Sequence, residues 1–537
     1  MTAPWPRFRG SMSSPFTYTR RRPERQVLWQ TVREHWLSFR AEVERGGAQL
    51  PAFVVRAFEK YLGCGALANG FARLRCTSCG DDRLVAFSCK TRGLCASCEG
   101  RRMAEQAAHL VDPVFPRAPV RQWVLTVPFW LRYRMAADHK LSGEVLTAFV
   151  RCVTGEYKRR ARAMGLTGEL RCGAVTQIQR FGDGLRVNPR KPAMPKASLG
   201  AQHRLRCEVR QRRHTLFSDG VWHRPDATGK ATFAGVNPPG AEELHDLIAE
   251  IRRKVLRRLV RLGVLRDDER PELFAEDQPL LAHCTTASLL DRIAVGQYAG
   301  HLVARVVDEP PQSRPHGRRC VQLDGFSLHA NTAVGPQARE SLEHLCRYIA
   351  RPAVPAGRIS RLPDGRIKMA FKTRWSDGSV AKVFQPIDLI AKLVTLVVRP
   401  RINLLRYPNL LRYPGVFAAN SAWRKEIVPW SLSTKSKPCK AKPRTDESPL
   451  VEADPATVAA REAARELRMS WAQLMLRAFR TDVLECACGG RRELLALIPA
   501  GEIASKILSH LKLPTEPPRF CRARPPPPAE AQLDWCT

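Results

Sequence analysis

Apolar residues recur at helical spacing in several separate stretches of this chain. In 26–45, QVLWQTVREHWLSFRAEVER, the residues Val27, Leu28, Val32, Trp36, Leu37 and Phe39 fall near one face, which predicts a helix. Shorter helices are predicted over 51–62 and 103–110. Residues 241–262 give a long amphipathic helix with Leu244, Leu247, Ile248, Ile251, Val255, Leu256 and Leu259 on one stripe. Two more are expected over 338–350, stopped by Pro352, and over 387–397. Between them lie short runs rich in β-branched and aromatic residues, which predict strands. They are RQWVLTVPFW from Arg121, GAVTQIQRF at 173–181, HTLFSDGVW at 214–222 and VQLDGFSL at 321–328. RISRLPDGRIKMAF at 358–371 carries Pro-Asp-Gly between alternating runs and reads as a hairpin. The order is α+β with hairpins rather than a regular βαβ alternation.

The ends of the chain read differently. Residues 1–25 are Pro- and Arg-rich and are expected to be disordered. A polar linker is expected over 429–455, a helical segment leading to Cys486-x-Cys488-Gly-Gly over 456–515, and a Pro-rich tail over 516–537. The 537 residues suit two or three domains, drawn here as 26–115 and 116–428 before the linker. The hexapeptide Asn-Leu-Leu-Arg-Tyr-Pro occurs at 403–408 and again at 409–414, a local duplication too short for a solenoid.

Charge and cysteine usage narrow the function. The formal net charge is +37, spread along the whole chain, which suits a polyanion partner, either for a cationic structural or ribosome-associated protein or for an enzyme. No run of about 18 apolar residues predicts a membrane span, and the N-terminus lacks the apolar core of a signal peptide. A cytoplasmic, nucleoid-associated location and reduced cysteines are therefore expected.

Four cysteines carry the sharpest pattern. Cys76, Cys79, Cys95 and Cys98 form two Cys-x-x-Cys pairs separated by fifteen residues, a spacing that predicts one closed structural zinc site. Cys64 and Cys89 stand nearby, either outside the ligand shell or as members of a different set. Cys486 and Cys488 are half a site, either a metal pair with distant partners or a turn holding two buried thiols. Cys152, Cys172, Cys207, Cys284, Cys320 and Cys346 are scattered and read as small buried hydrophobes.

Tyr348 lies on a predicted helix between Arg347 and Arg351. A tyrosine so placed either packs on the core or attacks a phosphodiester held by cations. His214 opens a strand; two histidines at i and i+2 would face one side and grip one divalent ion, but position 212 is Arg. His203 is the nearest upstream histidine. Trp123, Trp130, Tyr133 and Trp375 alternate with arginines and could stack on unpaired bases, with core packing favoured for Trp123.

Several blocks resemble the IS91 family of transposases, the group that includes the common-region elements. YLGCGALANGFARLRCTSCGDDRLVAFSCKTRGLCASCEGRRMAE resembles the family's N-terminal zinc domain. RQWVLTVPFWLRY, GAVTQIQRFGDGLRVNP, LDGFSLHANTAV, LCRYIARP and RPRINLLRYPGVFAANSAWR resemble successive blocks of its catalytic domain, and DVLECACGGRR its C-terminal block. The similarity spans roughly 25–515. It implies an HUH-endonuclease-like antiparallel sheet with helices, preceded by a small zinc-binding module and followed by a flexible C-terminal region. It also implies rolling-circle transposition: a His-hydrophobic-His strand binds Mg²⁺ or Mn²⁺, and a helix tyrosine attacks single-stranded element ends, leaving a 5′-phosphotyrosine and a free 3′-hydroxyl. Tyr348 matches that tyrosine, His214 matches the second histidine, and Arg347 and Arg351 are candidates to contact the scissile phosphate. Glu343 and Asp324 are candidates for the third metal ligand. The chain departs from the family where Arg212 stands in place of the first histidine, after about 22 additional residues at 190–211. An arginine cannot ligate a cation and would repel it, so the alternative is a decayed copy acting only as a zinc-dependent DNA-binding protein.

Overall fold

The computed structural model describes residues 21–128, 131, 135, 139–178, 185, 212–226, 229–263, 279–308, 319–354, 356–372, 374–375, 378–397, 411–428 and 469–524. In chain order the first elements are α1 (Val27–Arg45), α2 (Ala52–Leu62), β1 (Gly70–Cys76), β2 (Asp82–Ala86), α3 (Ala96–His109), β3 (Val120–Thr126) and α4 (His139–Ala163). Next come β4 (Glu169–Arg171), β5 (Ala174–Ile178), β6 (Arg212–Ser218), β7 (Gly220–Arg224), β8 (Thr232–Gly235), α5 (Ala241–Arg261) and α6 (Pro279–Leu289). They are followed by β9 (Arg305–Val307), β10 (Cys320–Leu323), β11 (Phe326–His329), β12 (Ala333–Val334) and α7 (Arg339–Ile349). The last are β13 (Ile359–Arg361), β14 (Ile367–Ala370), β15 (Ser379–Phe384), α8 (Pro386–Val394), α9 (Trp471–Phe479), β16 (Arg492–Pro499) and α10 (Glu502–His510). Every named strand pairing is antiparallel, and with the helices this makes an α+β protein.

The chain divides into two compact units that are not consecutive stretches. One is Met1–Arg22, Gly65–Phe87 and Ser431–Pro517; the other is Pro23–Cys64, Ser88–Trp430 and Pro518–Thr537. The stretch 26–115, taken from sequence as one module, thus contributes to both.

In the larger unit a sheet runs β10-β11-β3-β6-β5, with β12 also paired to β3. Strand alternation splits its side chains between two cores. Trp123, Leu125, Ala174 and Phe217 face a core built with α4 and α5, including Phe149, Val153, Leu247 and Ile251. Val120, Val175 and Leu216 face the other core, shared with Leu110 and with Leu342, Cys346 and Ile349 of α7. The spacing 342, 346, 349 is one helix face, which is why α7 lies on the sheet. A second sheet, β13-β14-β15-β9, shares its core with α1, α2 and α8. A third is β4-β7-β8. In the smaller unit β16, β1 and β2 form a three-stranded sheet over a small core of Leu67, Phe71, Ile498, Ala504 and Leu508.

Two strands read from sequence each prove to be two. VQLDGFSL is a hairpin: Leu323 pairs with Phe326 across Asp324 and Gly325, whose φ values are 45° and 80°. Positive φ at both central residues is the turn that matches strand twist, and Asp-Gly is the sequence that adopts it. HTLFSDGVW divides at Asp219, β6 joining the large sheet and β7 the sheet with β4 and β8. Gly220 permits the second pairing, since a Cβ there would meet the Ala234 carbonyl oxygen at 2.2 Å. The helix read at 103–110 begins earlier, at Ala96. Of the duplicated hexapeptide, Leu411–Pro414 are described, and Arg412 exchanges backbone hydrogen bonds with Thr176 at 2.8 and 2.9 Å. The first copy, the stretch 190–211, His203, Trp130 and Tyr133 lie outside the described residues. Among the described residues no helix is long and apolar enough to cross a membrane.

Candidate functional site

The residues around Tyr348 come from several strands and helices of the larger unit. His214 sits in β6 between β3 and β5, opposite Val124 and Gln177, and is 2% exposed. The side-chain amide nitrogen of Gln122 lies 3.0 Å from its Nδ1 and orients the ring. Gln177 in turn accepts a hydrogen bond from Gln106 at 2.9 Å. Burying these amides is tolerable because each has a partner. Tyr348 comes down from α7, with its ring edge-to-face with His214, centroids 6.0 Å apart and planes at 89°. Two cations stand over the Tyr348 ring: Arg351 at 4.9 Å and Lys372 at 5.3 Å.

The structure therefore brings together His214 and Tyr348, which are 134 positions apart in sequence, and sets Arg351 beside them. Arg347 is instead committed to an ion pair with Glu343 one turn back on α7. Asp324, in the hairpin turn, pairs with Arg252 at 2.9 Å. Neither carboxylate joins His214 in a ligand set. Arg212 opens β6 two positions before His214, with its backbone opposite Thr126. Among the described residues, three or more His, Cys, Asp or Glu side chains gather closely enough to hold one ion only in two places, and both are all cysteine. The described donors at Tyr348 thus do not fit a Mg²⁺ or Mn²⁺ site, which calls for several oxygen ligands or paired imidazoles. Lys372 and Gln122 escaped the sequence reading. Lys372 reaches the tyrosine only because β14 carries it there, and Gln122 is an alternate-position polar residue in an apolar strand.

The cysteines regroup. The two pairs expected to share one ion, Cys76 with Cys79 and Cys95 with Cys98, belong to different clusters. In the larger unit Cys95 and Cys98 meet Cys64 and Cys89, with Sγ separations of 3.6 Å for Cys64–Cys95, 3.9 Å for Cys64–Cys98 and 3.5 Å for Cys89–Cys98. Four thiolates about 2.3 Å from a tetrahedral zinc stand about 3.8 Å from one another, so this spacing fits the ion. Cys95 caps α3 and Cys98 lies in its first turn, so the helix's positive end faces the sulfurs. Gly93 makes the preceding turn, with φ of 81° and no room for a Cβ against the Leu396 carbonyl oxygen at 2.2 Å. The Cys64 sulfur, foremost, holds Cys89 and Cys95 far above the usual thiol range.

In the smaller unit Cys76 and Cys79 meet Cys486 and Cys488, with Sγ separations of 3.6 Å for Cys76–Cys488 and 3.7 Å for Cys79–Cys486. The two turns are built alike. Gly80 donates to the Cys76 carbonyl at 3.0 Å, and Gly489 donates to the Cys486 carbonyl at 3.0 Å. Both glycines have positive φ, 73° and 81°. The Cys79 amide, foremost, draws the Cys76 thiol down to about 6. Cys79 is pushed up to about 12, because the thiols of Cys488, Cys486 and Cys76 outweigh the Asp81 amide that favours its anion. Both clusters fit structural Zn²⁺ by donor type and geometry.

Two family models match the chain. Residues 31–127 match the transposase zinc-binding domain of the IS91 type, and residues 209–421 match a family described as "Putative transposase". No curated protein and no solved structure matches. The first match ends after α3 and β3; the second contains His214, Tyr348, Arg351 and Lys372. Zinc-binding and transposase regions follow one another in one strongly basic chain, whose partner is accordingly DNA, and the protein belongs to the IS91 family of transposases.

Proposed function

We propose that this transposase acts on single-stranded DNA at the ends of its element, in the HUH manner, with Tyr348 as the nucleophile. The observation that carries the reading is the meeting of Tyr348 with His214 on the middle of an antiparallel sheet, at 6.0 Å between rings. Arg351 and Lys372 supply positive charge beside the tyrosine, where a scissile phosphate would lie during attack. In the step itself the Tyr348 oxygen bonds to phosphorus and loses its proton. The bond from phosphorus to the 3′ oxygen breaks, and that oxygen takes a proton. The products are a 5′-phosphotyrosine and a free 3′-hydroxyl. Joining reverses the step at a second site. Tyr348 is half-buried against the core that also holds Leu342, Cys346 and Ile349 of its helix, so its direction of approach is set by the helix.

The Mg²⁺ or Mn²⁺ that this chemistry calls for would neutralise charge on the phosphate oxygens. The described side chains at Tyr348 do not form a ligand set for it. That shortfall, with Arg212 in the place of a ligand, supports a second reading: a decayed copy that binds element ends through its zinc module without cutting them. A labelled single-stranded element end incubated with the protein and Mn²⁺, resolved on a denaturing gel, separates the two. A protein-linked band lost in Tyr348→Phe supports the nuclease; equal DNA binding with no band in either protein supports the binding-only copy.

A further inference from the structure

The cluster in the smaller unit draws two of its four sulfurs from outside both family-matched regions, since Cys486 and Cys488 lie beyond residue 421. We infer that Cys76, Cys79, Cys486 and Cys488 bind a second zinc ion, and that this ion is a clasp that keeps residues 469–517 folded on the β1–β2 hairpin and exchanges more readily than the ion at the head of α3.

Three observations carry this. The first is fit. All four ligand atoms lie within 4.8 Å of one another, and Gly490 is required by their approach: a Cβ there would meet Ser78 Oγ at 2.4 Å and Cys76 Sγ at 2.9 Å. The second is need. The sheet β16-β1-β2 has a buried core of five residues, too small to order two segments some 400 positions apart by apolar burial alone. Beyond that core the two segments are tied by the β1–β16 ladder, by partly buried Leu84, Ala86, Ala496, Ile507 and Leu513, and by polar contacts: Thr77 donates to the Arg491 carbonyl at 3.0 Å, Arg83 to the Val483 carbonyl at 3.2 Å, and Arg492 pairs with Asp81 at 2.5 Å. An ion bound only when both segments are folded adds its binding free energy to their association. The third is access. Two of these four cysteines, Cys79 and Cys488, are exposed while Cys76 and Cys486 are buried; in the other cluster Cys64, Cys95 and Cys98 are buried and Cys89 is only partly exposed. A chelator reaches the first set directly and the second only after the fold opens.

The inference is independent of whether Tyr348 cuts DNA. It is tested on the full chain by elemental analysis of zinc and by timed release to a chromogenic chelator, with limited proteolysis alongside. Two zinc ions per chain are expected, released one per phase, and residues 469–517 should become cleavable after the fast phase while the rest stays resistant. The double variant Cys486→Ser, Cys488→Ser should hold one ion and lack the fast phase. Cys488→His, which keeps a zinc-binding side chain, should hold two. One ion per chain in the wild type overturns the proposal, as do two ions released in a single phase or non-reducing mass spectra showing Cys76–Cys488 and Cys79–Cys486 disulfides. Should the serine variant fail to fold, the wild-type stoichiometry and release phases still decide.

Discussion

The four-cysteine cluster at the head of α3 and the strand–helix site at Tyr348 lie in the same unit, and each gathers residues distant in sequence. They differ in completeness. Cys64, Cys89, Cys95 and Cys98 present four like donors at the spacing one ion requires. At Tyr348 a tyrosine, one imidazole and two cations are in place, but arginine stands at position 212, where a second histidine would pair with His214. A structural metal site holds a fold together, so losing one ligand is felt by the whole chain. A catalytic site can lose a ligand and leave the fold intact. The sheet beneath His214 is held by Trp123, Leu125, Leu216 and Phe217, none of which depends on a catalytic ion.

That contrast is open to experiment. The largest effect is expected from Cys95→Ser. Structural zinc contributes roughly 10–16 kcal/mol in small zinc modules, as much as the whole stability of an ordinary domain. Calorimetry should show the main unfolding transition lost or greatly lowered, whereas Cys79→Ser in the exposed cluster should leave it in place. An unchanged transition in Cys95→Ser would mean that the apolar core around it suffices. Next, Tyr348→Phe should take phosphotyrosine adducts below detection while the melting temperature moves little, since a half-buried hydroxyl is worth about 1 kcal/mol or less. A gain is expected from deleting 190–211 together with Arg212→His: adduct formation should rise in the presence of Mn²⁺, by about tenfold or more if one ligand is what the site lacks. No rise would place the defect elsewhere. The smallest effects belong to Lys372→Ala and Arg351→Ala. Each should weaken single-strand binding about fivefold and reduce the salt slope by roughly 0.7, as removal of one phosphate contact does. Fluorescence anisotropy across a salt series would show an unchanged slope if these cations serve only to pack the tyrosine.

Much of the framework was legible locally. The stripes over Val27–Arg45, Ala241–Arg261 and Arg339–Ile349 appear as helices at those positions because a stripe is buried by whatever covers it. Trp123 is in the core as its mid-strand position suggested. The misread strands failed on turn chemistry. Asp324-Gly325 had the signature of a two-residue hairpin, and apolar neighbours on both sides hid it. The helix of α3 was read late because its start is set by Cys95, a cap that apolar periodicity does not register.

By itself the sequence determined that the chain is basic, that it bears cysteines in metal-binding pairs, and that a tyrosine flanked by arginines stands on an amphipathic helix. Only the tertiary structure decided which cysteines share an ion. Spacing measures distance along the chain, while an ion measures distance in space. The cost of closing a loop grows only with the logarithm of its length, so a partner 407 positions away costs about 3 kcal/mol more than one about sixteen away, a difference small enough for the strand ladder between β1 and β16 to outweigh. The same holds at Tyr348, where Lys372 and Gln122 became neighbours of the site through sheet register and helix packing, which no local pattern records.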